Sequence, residues 1–119
     1  MSISFRQKRS SLVIPAKSAT QLLFEGDEGT FTNGCDFISV QITNSGAGAL
    51  GLIEVYVDSG GYGNDYIIDG DATAALGSIG PGVDLYKQII PNGWTRFKLL
   101  GTSAAGTTIS ITTVGVNSQ

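Results

Sequence analysis

The chain has 119 residues, 41% of them apolar and 14% charged, with 17 glycines, three prolines, one cysteine and no histidine. That length holds one small domain around one hydrophobic core, and without histidine the Ser-His-Asp and Cys-His devices are excluded. The formal charge of −3 is unevenly placed: Arg6, Lys8, Arg9 and Lys17 make the first 17 residues +4 and leave the remainder at −7, so the acidic body offers no broad nucleic-acid footprint.

Strand signals begin at the N-terminus with "SISF", "SLVI" and "TQLLFE". Residues 1–17 read as a basic arm or as the first strands, ahead of a β-sandwich domain at 18–119. Arg6, Lys8 and Arg9 are candidates for contact with a neighbouring subunit, either as an extended arm or as the opening of the domain's own sheet. No long apolar run follows them, because "SLVIPA" breaks at Pro15, so neither a signal peptide nor a membrane span is expected. Cys35, in "TNGCDF", reads as a small core or turn residue or as the source of an intermolecular disulfide.

The segment "DFISVQIT" alternates Ile38, Val40 and Ile42 against Ser39, Gln41 and Thr43, the period of a half-buried strand. After the turn "NSGAGALG", "LIEVYVD" places Ile53, Val55 and Val57 inward and Leu52, Glu54 and Tyr56 outward. The next stretch, "GGYGNDYII" at residues 60–68, matches the calcium nonapeptide G-G-x-G-x-D-x-U-x at every defined position. In a β-roll the neighbouring turn completes the oxygen cage, and neither "LGLIEVYVD" nor "DGDATAALG" repeats the motif. Two chemistries remain at this place. Asp58, Asp65, Asp69 and Asp71 could converge on a calcium ion, or Tyr62, Asn64 and Tyr66 could stack against and hydrogen-bond a sugar. No other cofactor is expected.

"YIID" reads as a short return strand, and "DATAALGSIG" permits at most a helical turn. "DLYKQII" is a strand that ends at the turn signal Pro91-Asn92-Gly93. In "WTRFKLL", Thr95, Phe97 and Leu99 take one side while Trp94, Arg96 and Lys98 take the other; with Tyr56 these last three are candidates for an outward oligomer contact, and Trp94 alternatively plugs the end of the barrel. The uncharged "TTISITTV" suits an open sheet edge or an ordinary central strand equally well. About eight short strands with Gly-rich turns fit an all-β, antiparallel two-sheet sandwich, with a jelly roll preferred over an immunoglobulin-like order.

The stretches "VQITNSGAGALGLIEVYVDSGGYG" and "FKLLGTSAAGTTISITT", about half the chain, resemble the jelly-roll subunits of bacterial endospore appendages. That resemblance implies filament assembly through cysteines of an N-terminal connector, and residues 1–17 contain none. In its short length, its Gly, Ser and Thr content and its all-β pattern, the chain also resembles small accessory or decoration proteins of tailed-phage virions, which implies assembly in the cytoplasm and display on a virion. The expectation is a noncatalytic structural protein that self-assembles with copies of itself and with other particle proteins, without membrane insertion or nucleic acid. The alternatives are a carbohydrate-binding module that takes a surface glycan, and a spore or cell-surface filament subunit. A paired-carboxylate enzyme built from Asp58, Asp65, Asp69, Asp71 and Asp84 would need a cleft that sequence spacing does not supply.

Overall fold

The computed structural model describes residues 3–26, 36–58, 66–91, 94 and 96–118. Eight strands and one helix follow in chain order: β1 Ile3–Ile14, β2 Lys17–Gly26, β3 Phe37–Asn44, β4 Glu54–Asp58, β5 Ile67–Ile68, α1 Gly70–Leu76, β6 Asp84–Ile89, β7 Arg96–Ser103 and β8 Thr107–Ser118. They form two four-stranded sheets of order β1-β8-β3-β6 and β2-β7-β4-β5. Antiparallel pairs join β1 to β8, β2 to β7, β3 to β6 and β4 to β5. The chain is thus one long hairpin ribbon whose tip is the β4–β5 turn. Rolling that ribbon sets β8 beside β3 and β7 beside β4 and closes two faces on one core, which is the jelly roll the strand pattern favoured.

The period-two alternation survives in the core. Ile38, Val40 and Ile42 of β3, Val55 and Val57 of β4, Phe97 and Leu99 of β7, and Ile109 and Ile111 of β8 are all buried. Phe97 stacks obliquely on Phe24 at 5.7 Å and on Trp94 at 6.1 Å. Apolar burial of this kind, about 25 cal/mol per Å², supplies most of the folding drive.

Three local readings change, and one left open between edge and centre is decided. "SISF" and "SLVI" are one strand, twelve residues long, in continuous register with β8 from Ile3 opposite Ser118 to Ile14 opposite Thr107. The basic residues between them do not interrupt the pairing. "TTISITTV" lies inside β8, paired on one side with β1 and on the other with β3, so it is a central strand. "LIEVYVD" becomes strand only from Glu54. "DATAALGSIG" yields a seven-residue helix: Asp69 caps it by accepting from the Ala72 amide at 2.9 Å, and Gly77 ends it at φ 67°.

That helix also explains how β5 can be only two residues long. Beyond β5, the Asp69 amide donates to the Val55 carbonyl at 2.8 Å, and the Val55 amide donates to the buried Thr73 hydroxyl at 2.9 Å. The α1 helix therefore takes over the backbone groups of β4 that a longer β5 would have paired.

One end of the sandwich is tied by a buried amide. Asn44 is fully buried at the end of β3; its Nδ2 donates to the carbonyls of Gly48 at 2.9 Å and Gly80 at 3.1 Å, and its Oδ1 accepts from the Thr107 hydroxyl at 2.5 Å and the Gly46 amide at 3.3 Å. The turn after β3 lies tight on β8, since a Cβ on Gly46 would stand 2.2 Å from Thr107 Oγ1 and 2.5 Å from the Thr108 amide nitrogen. Gly46→Ala is expected to cost about 1–3 kcal/mol by forcing the turn away from β8, like other overpacked sites. Urea denaturation checks it, and an unchanged midpoint would show that the turn yields freely.

Candidate functional site

The outer face of the second sheet gathers residues that are far apart in the chain. Its rows follow from register: Leu22, Leu100 and Glu54 form one; Glu25, Lys98, Tyr56 and Ile68 the next; Arg96 and Asp58 the last. Because outward positions recur every second residue, Tyr56 and Asp58 on β4 fall beside Lys98 and Arg96 on β7. Tyr66, entering β5, completes the group: the Arg96 guanidinium lies 4.9 Å from its ring centre and the Lys98 ammonium 4.3 Å, both in cation–π range.

Arg96 also donates to the Asp58 carboxylate in a salt bridge, with the Asp58 side chain only 8% exposed and that of Arg96 28%. The hydrogen bond to Asp58 is the main reason that the Arg96 guanidinium is held above its ordinary pKa; partial desolvation opposes this, and the charges of Tyr66, Asp58 and Glu25 add to it. Removing only the arginine would leave a carboxylate buried without its counter-charge. Arg96→Leu is expected to lower the melting temperature, and Asp58→Leu combined with Arg96→Leu to recover part of the loss. Scanning fluorimetry of the single and double variants reads this, and an Arg96→Leu protein as stable as the parent would show that the pair contributes nothing.

The structure places those residues singled out in the sequence that it describes. Tyr56, Arg96 and Lys98 share the outer face just described, and Tyr66, chosen as a sugar contact, joins them. Trp94 does not: it is 4% exposed and packs on Phe97 inside the core, so its outward assignment is corrected. Strand β7 starts only at Arg96, and strand alternation does not extend back to residue 94. Arg6, Lys8 and Arg9 occupy register positions opposite Gly115, Thr113 and Thr112 on β1. Cys35, Tyr62, Asn64, Asp65 and Thr95 lie outside the described residues.

Three of the four carboxylates read as calcium ligands lie among the described residues. Asp58 turns to Arg96, Asp69 caps α1, and Asp71 is exposed in the first turn of that helix. Among the described residues no three metal-ligating side chains come together, and no helix is long and apolar enough to cross a membrane.

A second surface went unnoticed in the sequence. On the outer face of the first sheet, Phe37, Ser39, Gln41, Tyr86, Gln88, Thr112, Val114 and Val116 line a shallow groove of about 310 Å³. The signal lay in the outward half of the alternation in "FISVQIT" and "DLYKQI", which reads as ordinary solvent-facing polarity until the two segments are paired.

No family model matches the chain, and no curated protein sequence matches it. Solved structures do share its architecture. The SPBc2 prophage-derived protein YomS is 14% identical with a TM-score of 0.50, the alignment covering 93% of this chain and 95% of that one. The Yersinia pseudotuberculosis-derived mitogen is 12% identical with a TM-score of 0.52, covering 90% of this chain and 83% of that one. A chain of the infectious bursal disease virus Gt strain structure is 14% identical with a TM-score of 0.52; it covers 98% of this chain, which spans only 33% of the viral one. The Bacillus endospore appendage structure aligns over 98% of this chain and 89% of its own at 14% identity, with a TM-score of 0.42. At these identities the likeness is one of fold, a small all-β sandwich found in phage-derived, viral and mitogenic proteins alike.

Proposed function

We propose that the protein is a noncatalytic structural subunit that assembles with copies of itself on the surface of a particle, a virion in the leading version. The observation that carries this reading is that, among the described residues, the two edge strands of the first sheet each pair on one side only and differ in charge. At one edge β1 brings Arg6, Lys8 and Arg9 and no acidic residue. At the other, β6 begins with Asp84, and the cleft between its end and α1 is lined by Asp69, Asp71, Gln88 and Ile90. Lys87 is the one basic residue of β6. Exposed aliphatic side chains border both edges: Val13 on β1, Val83 and Ile90 flanking β6.

Unpaired strand edges bond readily to further strands. When the two edges carry opposite charge, contact between unlike edges is favoured and contact between like edges is opposed. Such a head-to-tail contact closes into a ring or continues as a filament, depending on the rotation per subunit. The outer face bearing Tyr56, Tyr66, Arg96 and Lys98 supplies a second surface rich in the residue types that dominate interfaces. The shared fold with a prophage-derived protein and a viral chain is compatible with a virion component but argues only for architecture.

Light scattering coupled to sizing, with negative-stain microscopy, tests the reading. The expected result is a discrete oligomer or a fibre that persists under reducing conditions. A strict monomer at high concentration that binds no particle would overturn it.

A further inference from the structure

The groove on the outer face of the first sheet is lined by uncharged residues. Three cross-strand rows build it: Tyr86, Gln41 and Thr112; then Gln88, Ser39 and Val114; then Phe37 and Val116. Rows two residues apart along a strand are separated by about 7 Å, so the three together make an elongated trough. Its polar lining consists of two carboxamides, hydroxyls and a phenol, and none of its residues is charged. The nearest charged register positions are Lys87, between Tyr86 and Gln88 and opposite Val40, and Arg9, opposite Thr112, while Asp69 and Asp71 line a neighbouring cleft that includes Gln88.

This chemistry selects its occupant. Carboxamides and hydroxyls each both donate and accept hydrogen bonds, which matches a ligand whose groups do the same and carry no charge. Tyr86 is 62% exposed, with its hydroxyl 3.5 Å from Ser39 Oγ at the limit of hydrogen bonding, so its ring is available at the rim for an apolar face to lie against. Phe37, Val114 and Val116 extend that apolar floor. β3 and β8 are hydrogen-bonded to neighbours on both sides, so an extended peptide could add a strand only at the β6 edge and not along the floor of the trough. The volume lies at the small end of ligand sites, which start at about 300 Å³.

We infer that this groove binds a neutral oligosaccharide, laid along the trough with a sugar ring against Tyr86 and its hydroxyls shared among Gln41, Gln88, Ser39 and Thr112. The site shares Gln88 with the cleft at the β6 edge, but its inference does not rest on self-association. It also differs from the acidic loop around Tyr62 and Tyr66, where the sequence suggested sugar binding.

Titration of 15N-labelled protein with cellohexaose, maltohexaose and chitohexaose, followed by NMR, tests it, with polygalacturonate as the anionic control. At least one neutral probe is expected to give saturable shifts at the amides of Ser39, Gln41, Tyr86, Gln88 and Thr112. Tyr86→Ala should weaken that binding about tenfold, the upper range of an aromatic contact. Tyr86 and Gln41 are both exposed, so Tyr86→Ala and Gln41→Ala are expected to keep the parent's dispersed spectrum. The inference is overturned by no saturable shift with any neutral probe, by shifts centred on residues 54–68, by equal binding of polygalacturonate, or by undiminished binding in both variants.

Discussion

Asn44→Ala is expected to lower the folding stability by about 3 kcal/mol, a melting-temperature drop of roughly 10 °C for a domain of this size. The Asn44 side chain uses its full hydrogen-bonding capacity. Alanine would leave the Gly48 and Gly80 carbonyls and the Thr107 hydroxyl without that partner in a buried place, and each such group costs about 1–3 kcal/mol unless water reaches it. The effect spans three parts of the fold, because the amide joins the turn after β3, the loop before β6 and the start of β8. Asn44→Asp separates hydrogen bonding from size. The carboxylate fills the same volume, but it directs acceptors at the Gly48 and Gly80 carbonyl oxygens, so it should be at least as destabilising as alanine near neutral pH. Equilibrium urea unfolding reads both. An Asn44→Asp protein as stable as the parent would show that the two donated bonds contribute nothing.

Reversing charge along β1, with Arg6→Glu, Lys8→Glu and Arg9→Glu together, is expected to convert the assembled protein to monomer. Circular dichroism of the triple variant checks that it keeps the all-β fold. Mixing this triple variant with Asp71→Lys/Asp84→Lys protein should restore mixed assemblies, because the complementarity returns with opposite sign at each edge. Asp69 is left in place there, as it caps α1. Native mass spectrometry distinguishes the mixed species by mass. Assembly by the triple variant alone, as complete as that of the parent, would rule out the edge-to-edge contact and leave the Tyr56 and Lys98 face as the alternative. High salt should weaken assembly in the parent as well, since exposed charges more than about 8 Å apart are screened at physiological ionic strength.

Loss of the glycan site would leave these two results untouched. Tyr86→Ala alters a ring at the rim of the first sheet's outer face, whereas the β1 substitutions alter an edge. A protein that assembles and binds no neutral sugar, or binds sugar as a monomer, therefore separates the two functions.

Alternation over "DFISVQIT", "LIEVYVD" and "TTISITTV" was enough to identify the strands and their buried residues, because a two-residue period specifies which face of a strand must leave water. The same rule misplaced Trp94, which precedes β7 and is buried as a loop residue against Phe97. It also could not choose between edge and centre for β8, since uncharged β-branched residues suit both. The calcium pattern in "GGYGNDYII" was fully legible as letters, and residues 60–65 of it lie outside the described ones; of the flanking carboxylates, Asp58 pairs with Arg96 and Asp69 caps a helix. Both partners are distant or local contacts that a linear motif does not encode.

What the sequence by itself determined was the layer architecture: strands along most of the chain, a buried hydrophobic face on the alternating ones, and a basic start ahead of an acidic body. Those properties are local, written in composition and period. Which strands are neighbours was decided only by the tertiary structure, as rolling the ribbon put β8 between β1 and β3 and left β1 and β6 as unlike edges. Register across the sheets then assembled the two surfaces that carry the functional proposals, Tyr66 between Arg96 and Lys98 on one side and Tyr86 beside Gln41 on the other. Non-local pairing is chosen by how well whole faces bury together rather than by any single segment, and that is why the sites emerge only once the sandwich is closed.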